Sequence, residues 1–276
     1  MVNSWQDRKN LQEIVGEAIE MVTALGDYGR EEARGFGKRT CIAEKAVYEL
    51  VNDRLSKKYD NFVLLAEGMP TKGDPTAEIK VNLDPLDGTL YYVRNRSASP
   101  IPVSIALSLT TGEKYQDIVA GTIGNIYSGE IWSAGRKTNT VSNMVGACNC
   151  GGNKEHNPLI MFDFYFPANS RARLALEHPI NPLWDKFESL NTGSAAEMMA
   201  KVACGEADAF VNLGGLSVYE MTAGYLIMKQ AGVSVISAEN GLGLGGQNIN
   251  GGRTPIIAAK NAEMAQKIYS QVKNCF

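Results

Sequence analysis

Histidine is scarce in this chain of 276 residues, in which His156 and His178 are the two present. Neither lies in a nucleophile-elbow or metalloprotease pattern, so the sequence argues against a serine hydrolase or a zinc protease of that type. Cysteine is also rare, and its odd count of five argues against a framework of disulfides. Cys148 and Cys150 are one residue apart, which is too close for a usual zinc half-site. If this protein is an enzyme, we expect carboxylates to carry its chemistry.

Long apolar runs and blocks of like charge are missing as well. The longest apolar stretches, at 62–65, 158–162 and 255–259, are far shorter than the roughly 20 residues that span a bilayer. Residues 1–10 contain no apolar segment typical of a signal peptide. The net charge is −3 and no cluster of lysine and arginine occurs, so no nucleic-acid-binding surface is indicated. We therefore expect a cytoplasmic protein that binds neither membranes nor nucleic acids.

Hydrophobic periodicity predicts a chain in two halves. Helical spacing comes first and is followed by a run of short strands; the predicted helices are 3–25 and 42–56, and the strands are 61–67, 78–84, 101–109, 118–123 and 129–134. The polar segment 135–157 is predicted to be a loop between the halves 1–150 and 151–276. Strands and helices then alternate, with strands near 159–163, 186–190, 208–212, 233–237 and 255–259 and helices near 169–177, 194–204, 217–231 and 260–273. This order is typical of a layered α/β or α+β fold.

The stretch "LDPLDGT" places Asp84 and Asp87 on either side of a Pro-Leu pair at the end of a predicted strand. Because proline cannot continue the ladder, we expect the strand to stop there and both carboxylates to turn toward one space. Gly88 and Thr89 are then expected to open a short helix, whose free N–H groups would form an anion site. The stretch alone is equally typical of a surface turn.

Two further carboxylates occupy the ends of predicted elements. Glu67 follows an apolar strand in "LLAEG", and Glu220 lies in the first turn of a predicted helix, where the helix dipole favours an acidic residue in any case. Taken singly, each is adequately explained as a structural residue. Together with Asp84 and Asp87 they supply four negative charges, and the carbonyl of Leu86 adds another hard oxygen. That set matches two divalent cations acting on a phosphate ester.

Four segments, in this order along the chain, resemble the superfamily of inositol monophosphatase and fructose-1,6-bisphosphatase, which are metal-dependent phosphomonoesterases. The segments are "LLAEG", "DPLDGT", "GSAAEMMAKVACGEADAFV" and "YEMTAGYLIMKQAGVSV". The resemblance implies a sandwich of alternating helix and sheet layers (αβαβα). It also implies two Mg²⁺ ions, with Mn²⁺ as an alternative. The ligands it implies are Glu67, Asp84, the Leu86 carbonyl, Asp87 and Glu220.

The resemblance also assigns catalytic roles. Gly88 and Thr89 would bind the scissile phosphate through backbone N–H groups, and the Thr89 hydroxyl would orient the attacking water. Glu67 and Asp84 would complete the catalytic set as ligands of the metal that activates this water.

Substrate contacts are expected from the second half. By resemblance, the residues near the ring or sugar are Gly193, Ser194 and Ala195. The segment "DFYFPANSRARL" adds three more candidates: Tyr165, Arg171 and Arg173. Arginine suits a second phosphate because its planar fork binds oxygens bidentately. Two arginines at this spacing could not share one helix face well, so we expect at most one to reach substrate.

Three positions depart from the inositol monophosphatase pattern. Tyr219-Glu220 stands where those enzymes usually carry Trp-Asp, and is more similar to fructose-1,6-bisphosphatases. Asn212 stands where they have an acidic residue that contacts inositol hydroxyls, and it is a further candidate contact with substrate. Thr40 replaces an aspartate that helps to hold a third metal and the nucleophilic water. Glu44, one turn later, could reach inward, but we expect it to be an exposed helix residue. The resemblance therefore supports two metal ions more strongly than it supports a third.

We expect from these patterns a Mg²⁺-dependent hydrolase of a small-molecule phosphate ester, with fructose-1,6-bisphosphate and myo-inositol-1-phosphate as candidate substrates. The mixture of motifs resembles short archaeal-type enzymes of dual specificity. A 3′(2′),5′-bisphosphate nucleotidase is the alternative within the superfamily, although no adenine slot is identified, and a non-catalytic binding protein of this fold is a further one. The resemblance suggests a homodimer or homotetramer and sensitivity to lithium.

Overall fold

The computed structural model describes residues 3–32, 40–94, 101–150, 157–163, 187–249 and 252–273. These residues form two β-sheets with helices outside and between them, so the predicted layered α+β fold is confirmed. The predicted helix near 169–177 lies outside the described residues. So do three of the candidate substrate contacts: Tyr165, Arg171 and Arg173.

The first sheet has eight strands in the order β2-β1-β3-β4-β5-β6-β7-β8. They are β1 (Val63–Ala66), β2 (Lys72–Gly73), β3 (Lys80–Asp87), β4 (Ser104–Thr110), β5 (Ile118–Asn125), β6 (Ile131–Gly135), β7 (Val141–Ser142) and β8 (Gly146–Ala147). β1 and β3 are parallel, and the other neighbours are antiparallel. Every residue of β4, β5 and β6 is buried, because helices cover both faces of the sheet.

The α-helices described in this half are α1 (Ser4–Leu25), α2 (Ile42–Ser56) and the short α3 (Thr89–Arg94). α1 begins where the Asn3 side chain accepts the N–H groups of Trp5 and Gln6, and it ends at Gly26, whose φ is 52°. The buried residues of α1 recur every three or four positions and pack on β5 and β6; they include Leu11, Ile14, Val15, Ala18, Ile19 and Val22.

The second sheet has the order β10-β9-β11-β13-β12. Its strands are β9 (Leu159–Asp163), β10 (Glu188–Leu190), β11 (Ala209–Leu216), β12 (Ser234–Ser237) and β13 (Thr254–Ala259), and its helices are α4 (Ala195–Ala203), α5 (Val218–Gln230) and α6 (Ala262–Val272). α4 and α5 lie between the sheets, in one core that includes Trp132 of the first sheet and Phe210 of the second. α6 packs on β12 and β13 from the other side. The layers therefore run αβαβα.

The segment between the halves differs from its prediction in two ways. The stretch 135–157, predicted as a loop, contains β7 and β8, which are too short to give a periodic signal. Cys148, just after β8, forms a disulfide with Cys204 at the end of α4, so the expectation drawn from the odd cysteine count was wrong for this pair. The two residues are 56 positions apart, and only the fold brings their backbones close enough to bond.

The division into halves 1–150 and 151–276 stays a prediction, and the common core packs α4 and α5 against both sheets. None of the helices within the described ranges is both long and apolar enough to cross a membrane.

Candidate metal centre

A cavity of about 450 Å³ lies where the end of β3, the start of α4 and one edge of the second sheet meet. Its walls include most of the predicted site residues: Glu67, Asp84, Leu86, Asp87, Gly88, Thr89, Gly193, Ala195 and Glu220. They also include residues that the sequence did not single out, among them Asp163, Asn191 and Arg253. Two predicted residues, Ser194 and Asn212, are not part of the wall and contact it through hydrogen bonds.

A bulge in β3 brings Asp84 and Asp87 to the same side of the strand. Asp84 pairs with Ala106 and Asp87 with Ser104, so three steps along β3 match two along β4. In a regular strand, residues three apart face opposite sides, and the extra residue of a bulge restores the common side. Pro85 lies within this bulge, where the missing N–H is not needed for the ladder. The expectation that the strand stops at the proline was therefore wrong, since β3 continues to Asp87.

Glu67 and Glu220 reach the same point from two other elements. Glu67 directly follows β1, and its N–H donates to the Leu83 carbonyl at 3.0 Å, which places it beside the end of β3. Glu220 lies in the first turn of α5, where its carboxylate accepts the Ser217 N–H at 2.8 Å. Carboxylate oxygens of Glu67, Asp84 and Glu220 lie within 4.8 Å of one another. A cluster of hard oxygens at this separation fits a divalent cation of the Mg²⁺ or Mn²⁺ type.

The start of α4 holds Asp87. The Ser194 hydroxyl and the Ala196 N–H both donate to Asp87 Oδ2 at 2.7 Å. The residue two positions before α4, Gly193, lies close to the Ile101 side chain. A Cβ at Gly193 would lie 2.5 Å from Ile101, and the φ of Gly193 is 95°. Ser194, predicted to lie near the substrate, thus has its hydroxyl engaged with a predicted metal ligand, and only glycine fits the residue before it.

Burial and mutual repulsion dominate the electrostatics of the cluster. Burial raises the pKa of Asp84 well above its usual range, and the charges of Asp87 and Glu67 raise it further. Burial also raises the pKa of Asp87 to about 7, despite the two donors from α4. Burial and then the charge of Asp87 raise the pKa of Glu220 well above its usual range. Within the described ranges, none of these carboxylates forms an ion pair. A bound cation would stabilise their ionised forms.

The Glu44 side chain forms part of the cavity wall and contacts Thr89. The Thr89 hydroxyl lies 2.6 Å from Glu44 Oε1 and 2.8 Å from the Leu86 carbonyl. The other carboxylate oxygen of Glu44 accepts the Cys41 N–H at 2.7 Å, so the side chain caps the start of α2. The expectation of an exposed Glu44 was wrong, because the first turn of α2 is directed at α3 and not at solvent. Thr40 also lines the cavity, where it offers a hydroxyl in place of a carboxylate.

Asp163 is a carboxylate of the cavity wall that the sequence reasoning missed. It ends β9 and lines the cavity, and Asn212 Nδ2 donates to its Oδ2 at 2.6 Å. The signal was present, since Asp163 directly follows an apolar strand, as Glu67 does. Asn212, predicted to contact substrate, is 1% exposed and reaches the cavity through this hydrogen bond. Arg253, which also lines the cavity, precedes β13 with no comparable sequence signal.

Comparison with known proteins gives a match along almost the whole chain. The model of a family described as the inositol monophosphatase family matches residues 7–275. A relative called Nus factor SuhB, from Xylella fastidiosa, is 28% identical over 233 residues, which covers 84% of this chain and 75% of that protein.

Two solved structures have the same fold. The extragenic suppressor protein SuhB from Bartonella henselae has a TM-score of 0.77 at 22% identity, covering 96% of this chain and 97% of that one. A gene product described as an inositol monophosphatase-fructose 1,6 bisphosphatase has a TM-score of 0.74 at 18% identity, covering 95% and 98% of the two chains. At these identities the likeness shows the fold alone.

Proposed function

This chain belongs to the inositol monophosphatase family, and from this premise we propose that it is a Mg²⁺-dependent phosphomonoesterase acting on a sugar or inositol phosphate. Fructose-1,6-bisphosphate and myo-inositol-1-phosphate are the substrates we propose. The observation that carries the proposal is the cluster of Glu67, Asp84 and Glu220, whose carboxylate oxygens lie within 4.8 Å of one another beside the Thr89–Glu44 pair.

The chain offers ligands for two ions. We propose that Glu67, Asp84, the Leu86 carbonyl, Asp87 and Glu220 hold Mg²⁺, or Mn²⁺ in its place, since both prefer such oxygens. When bound, these ions would lower the pKa of a water and offset the charge of the phosphate dianion. Thr40 supplies a weaker ligand than the aspartate it replaces, so a third ion is not part of the proposal.

Thr89 and Glu44 would orient the attacking water. The Thr89 hydroxyl proton is directed at the Glu44 carboxylate and the Leu86 carbonyl, which leaves the Thr89 oxygen free to accept a hydrogen bond from water. Gly88 and Thr89 open α3, and the first N–H groups of a helix have no partner within it. These groups would bind the phosphate oxygens.

The reaction we propose is an in-line displacement at phosphorus. The water oxygen forms a bond to phosphorus while the ester P–O bond breaks. One proton of the water passes to the leaving ester oxygen, so the products are the alcohol and hydrogen phosphate. Among the residues that the structure describes, Thr89 and Glu44 are the groups we propose to orient the water for this displacement.

A phosphate-release assay with and without Mg²⁺ tests the proposal. The panel is myo-inositol-1-phosphate, fructose-1,6-bisphosphate and adenosine 3′,5′-bisphosphate. We expect release from one or both of the first two, abolished by EDTA. Release from the adenosine ester alone would favour a 3′(2′),5′-bisphosphate nucleotidase instead. No release from any ester, at any concentration of Mg²⁺ or Mn²⁺, would contradict the proposal.

A non-catalytic role is the second candidate, because the relative from Xylella fastidiosa is called a Nus factor. The retention of Glu67, Asp84, Asp87 and Glu220 at one cavity supports catalysis, since these are the carboxylates that would hold the metal ions. We also propose, from the resemblance alone, a homodimer or homotetramer that is sensitive to lithium. Light scattering and inhibition by LiCl test these two points.

A further inference from the structure

One edge of the second sheet lines the cavity with polar side chains. β10, β9 and β11 are parallel neighbours, so their carboxyl ends meet at one edge, and the antiparallel β13 begins there. Asp163 ends β9, Asn191 follows β10, and Arg253 precedes β13; all three line the cavity. The edge therefore contributes polar side chains to the same cavity as the acidic cluster.

A buried amide fixes Asp163 at this edge. Asn212 is in register with Asp163 across β9 and β11, and its Nδ2 donates to Asp163 Oδ2 at 2.6 Å. The amide cannot be reversed, because its oxygen would then face a carboxylate oxygen. In this orientation Asn212 Oδ1 is buried and has no hydrogen-bond partner within the described ranges. Leaving a buried acceptor unpaired is unfavourable. We therefore interpret the Asn212 amide as a group that orients the Asp163 carboxylate, although its own oxygen lacks a hydrogen bond within the described ranges.

Asp163 reaches the cavity from a different sheet than Asp84 and Asp87. Those two carboxylates lie on β3 of the first sheet, whereas Asp163 ends β9 of the second sheet. Asp163 also lies outside the set of Glu67, Asp84 and Glu220, whose carboxylate oxygens are within 4.8 Å of one another. It is close enough for its negative charge to raise the pKa of both Asp87 and Glu220. A carboxylate in this position accepts hydrogen bonds from hydroxyl groups and repels a phosphate placed beside it.

On the premise of the proposed function, we propose that Asp163 is a specificity-determining residue that accepts hydrogen bonds from the hydroxyl groups of the leaving alcohol. The favoured substrate is then a phosphate ester of a polyhydroxylated alcohol whose hydroxyls next to the ester carbon are free. An ester with a second phosphate at the neighbouring carbon is disfavoured. Asn212 is the positioning residue that holds the acceptor toward these hydroxyls.

The test compares Asp163→Asn with wild type on two esters at saturating Mg²⁺. Myo-inositol-1-phosphate carries free hydroxyls, and cyclohexyl phosphate has the same ring without them. We expect kcat/KM to fall about 10- to 100-fold more for the inositol ester than for the cyclohexyl ester, as a lost hydrogen bond to a charged group implies. Asp208→Asn, which removes a carboxylate from the opposite edge of the same sheet, is the matched control and leaves the ratio of the two esters unchanged. Equal losses on both esters in Asp163→Asn would overturn the inference.

Calorimetry separates this inference from the proposed function. If wild type hydrolyses neither ester, the proposed function fails, and binding of the two esters is then measured with Ca²⁺ present. Weaker binding of the inositol ester to Asp163→Asn, with the cyclohexyl ester less affected, supports the role of Asp163. Unchanged discrimination between the esters, or no binding to wild type, overturns it.

Discussion

Asp208, just before β11, and Asp84, at the bulge of β3, are both buried carboxylates, but their surroundings differ in kind. Asp208, just before β11, receives the Lys260 ammonium at 2.6 Å and the Leu159 N–H at 2.8 Å. Asp84 accepts the N–H of Leu86 at 3.1 Å and is otherwise surrounded by carboxylates. Asp208 therefore has its positive counter-charge, Lys260, within the chain. The carboxylates around Asp84 have no such partner among the described residues, and this is the physical argument for a metal ion there.

The sharpest test of this difference removes one carboxylate from each place. Asp87→Asn deletes a proposed ligand, so we expect Mg²⁺-dependent phosphate release to fall about 1,000-fold or more, because metal ions supply several kcal/mol of charge stabilisation. Asp208→Asn should keep turnover within about threefold per folded molecule, since its loss acts on folding alone. Steady-state assays on folded fractions, checked by circular dichroism, decide the matter. Near-normal turnover in Asp87→Asn would remove the metal argument.

Glu44 offers a second, smaller test, because it is an acid whose partner is a neutral hydroxyl. Glu44→Gln keeps the shape of the side chain but weakens its hold on the Thr89 hydroxyl, so we expect kcat to fall about 10- to 100-fold with little change in KM. Thr89→Ser, which keeps the hydroxyl, is the matched control and should lose much less. A large rise in KM with kcat unchanged would instead place Glu44 in substrate binding.

Thermal stability should respond in opposite directions at the two places. In EDTA, Asp87→Asn relieves repulsion between buried acids and should raise the melting temperature. Asp208→Asn leaves the Lys260 ammonium and the Leu159 N–H less well paired and should cost about 1–3 kcal/mol. Scanning calorimetry of both variants in EDTA checks the signs. A fall in both melting temperatures would mean that the cluster is stabilised within the chain after all.

The smallest effect is a pH dependence that Mg²⁺ reverses. The folded protein raises the pKa of Asp87 from 3.8 to about 7, so between these pH values it binds more protons than the unfolded chain. Stability without metal should therefore fall as pH rises from about 4 to 7. Saturating Mg²⁺ should raise the melting temperature by about 5 °C at pH 8 and by less at pH 5, where protons compete. An equal increase at both values would mean that the ion binds elsewhere.

Local patterns were enough to predict the long helices that the structure describes, whereas the ligand set stays a prediction. α2 begins and ends where its periodicity predicts, because apolar residues three and four positions apart form the buried face of a helix. What could not be predicted depends on contacts between distant segments. Thr89 meets Glu44 45 residues away, and Asn212 meets Asp163 49 residues away. Hydrophobic periodicity indicates neither contact. Reasoning from the sequence therefore led to a wrong expectation for Glu44 and to no expectation for Asp163.

The bulge in β3 has a consequence for how the site can be dissected. Its extra residue leaves the Leu86 carbonyl outside the ladder, where it faces Thr89. No side-chain replacement can remove a backbone oxygen, but a change of chain length can. Deleting one residue between Asp84 and Asp87 would leave them two apart, still on one side of a regular strand, with the carbonyls between them returned to the ladder. Such a deletion would separate the contribution of the main chain from that of the carboxylates, which point substitutions cannot do.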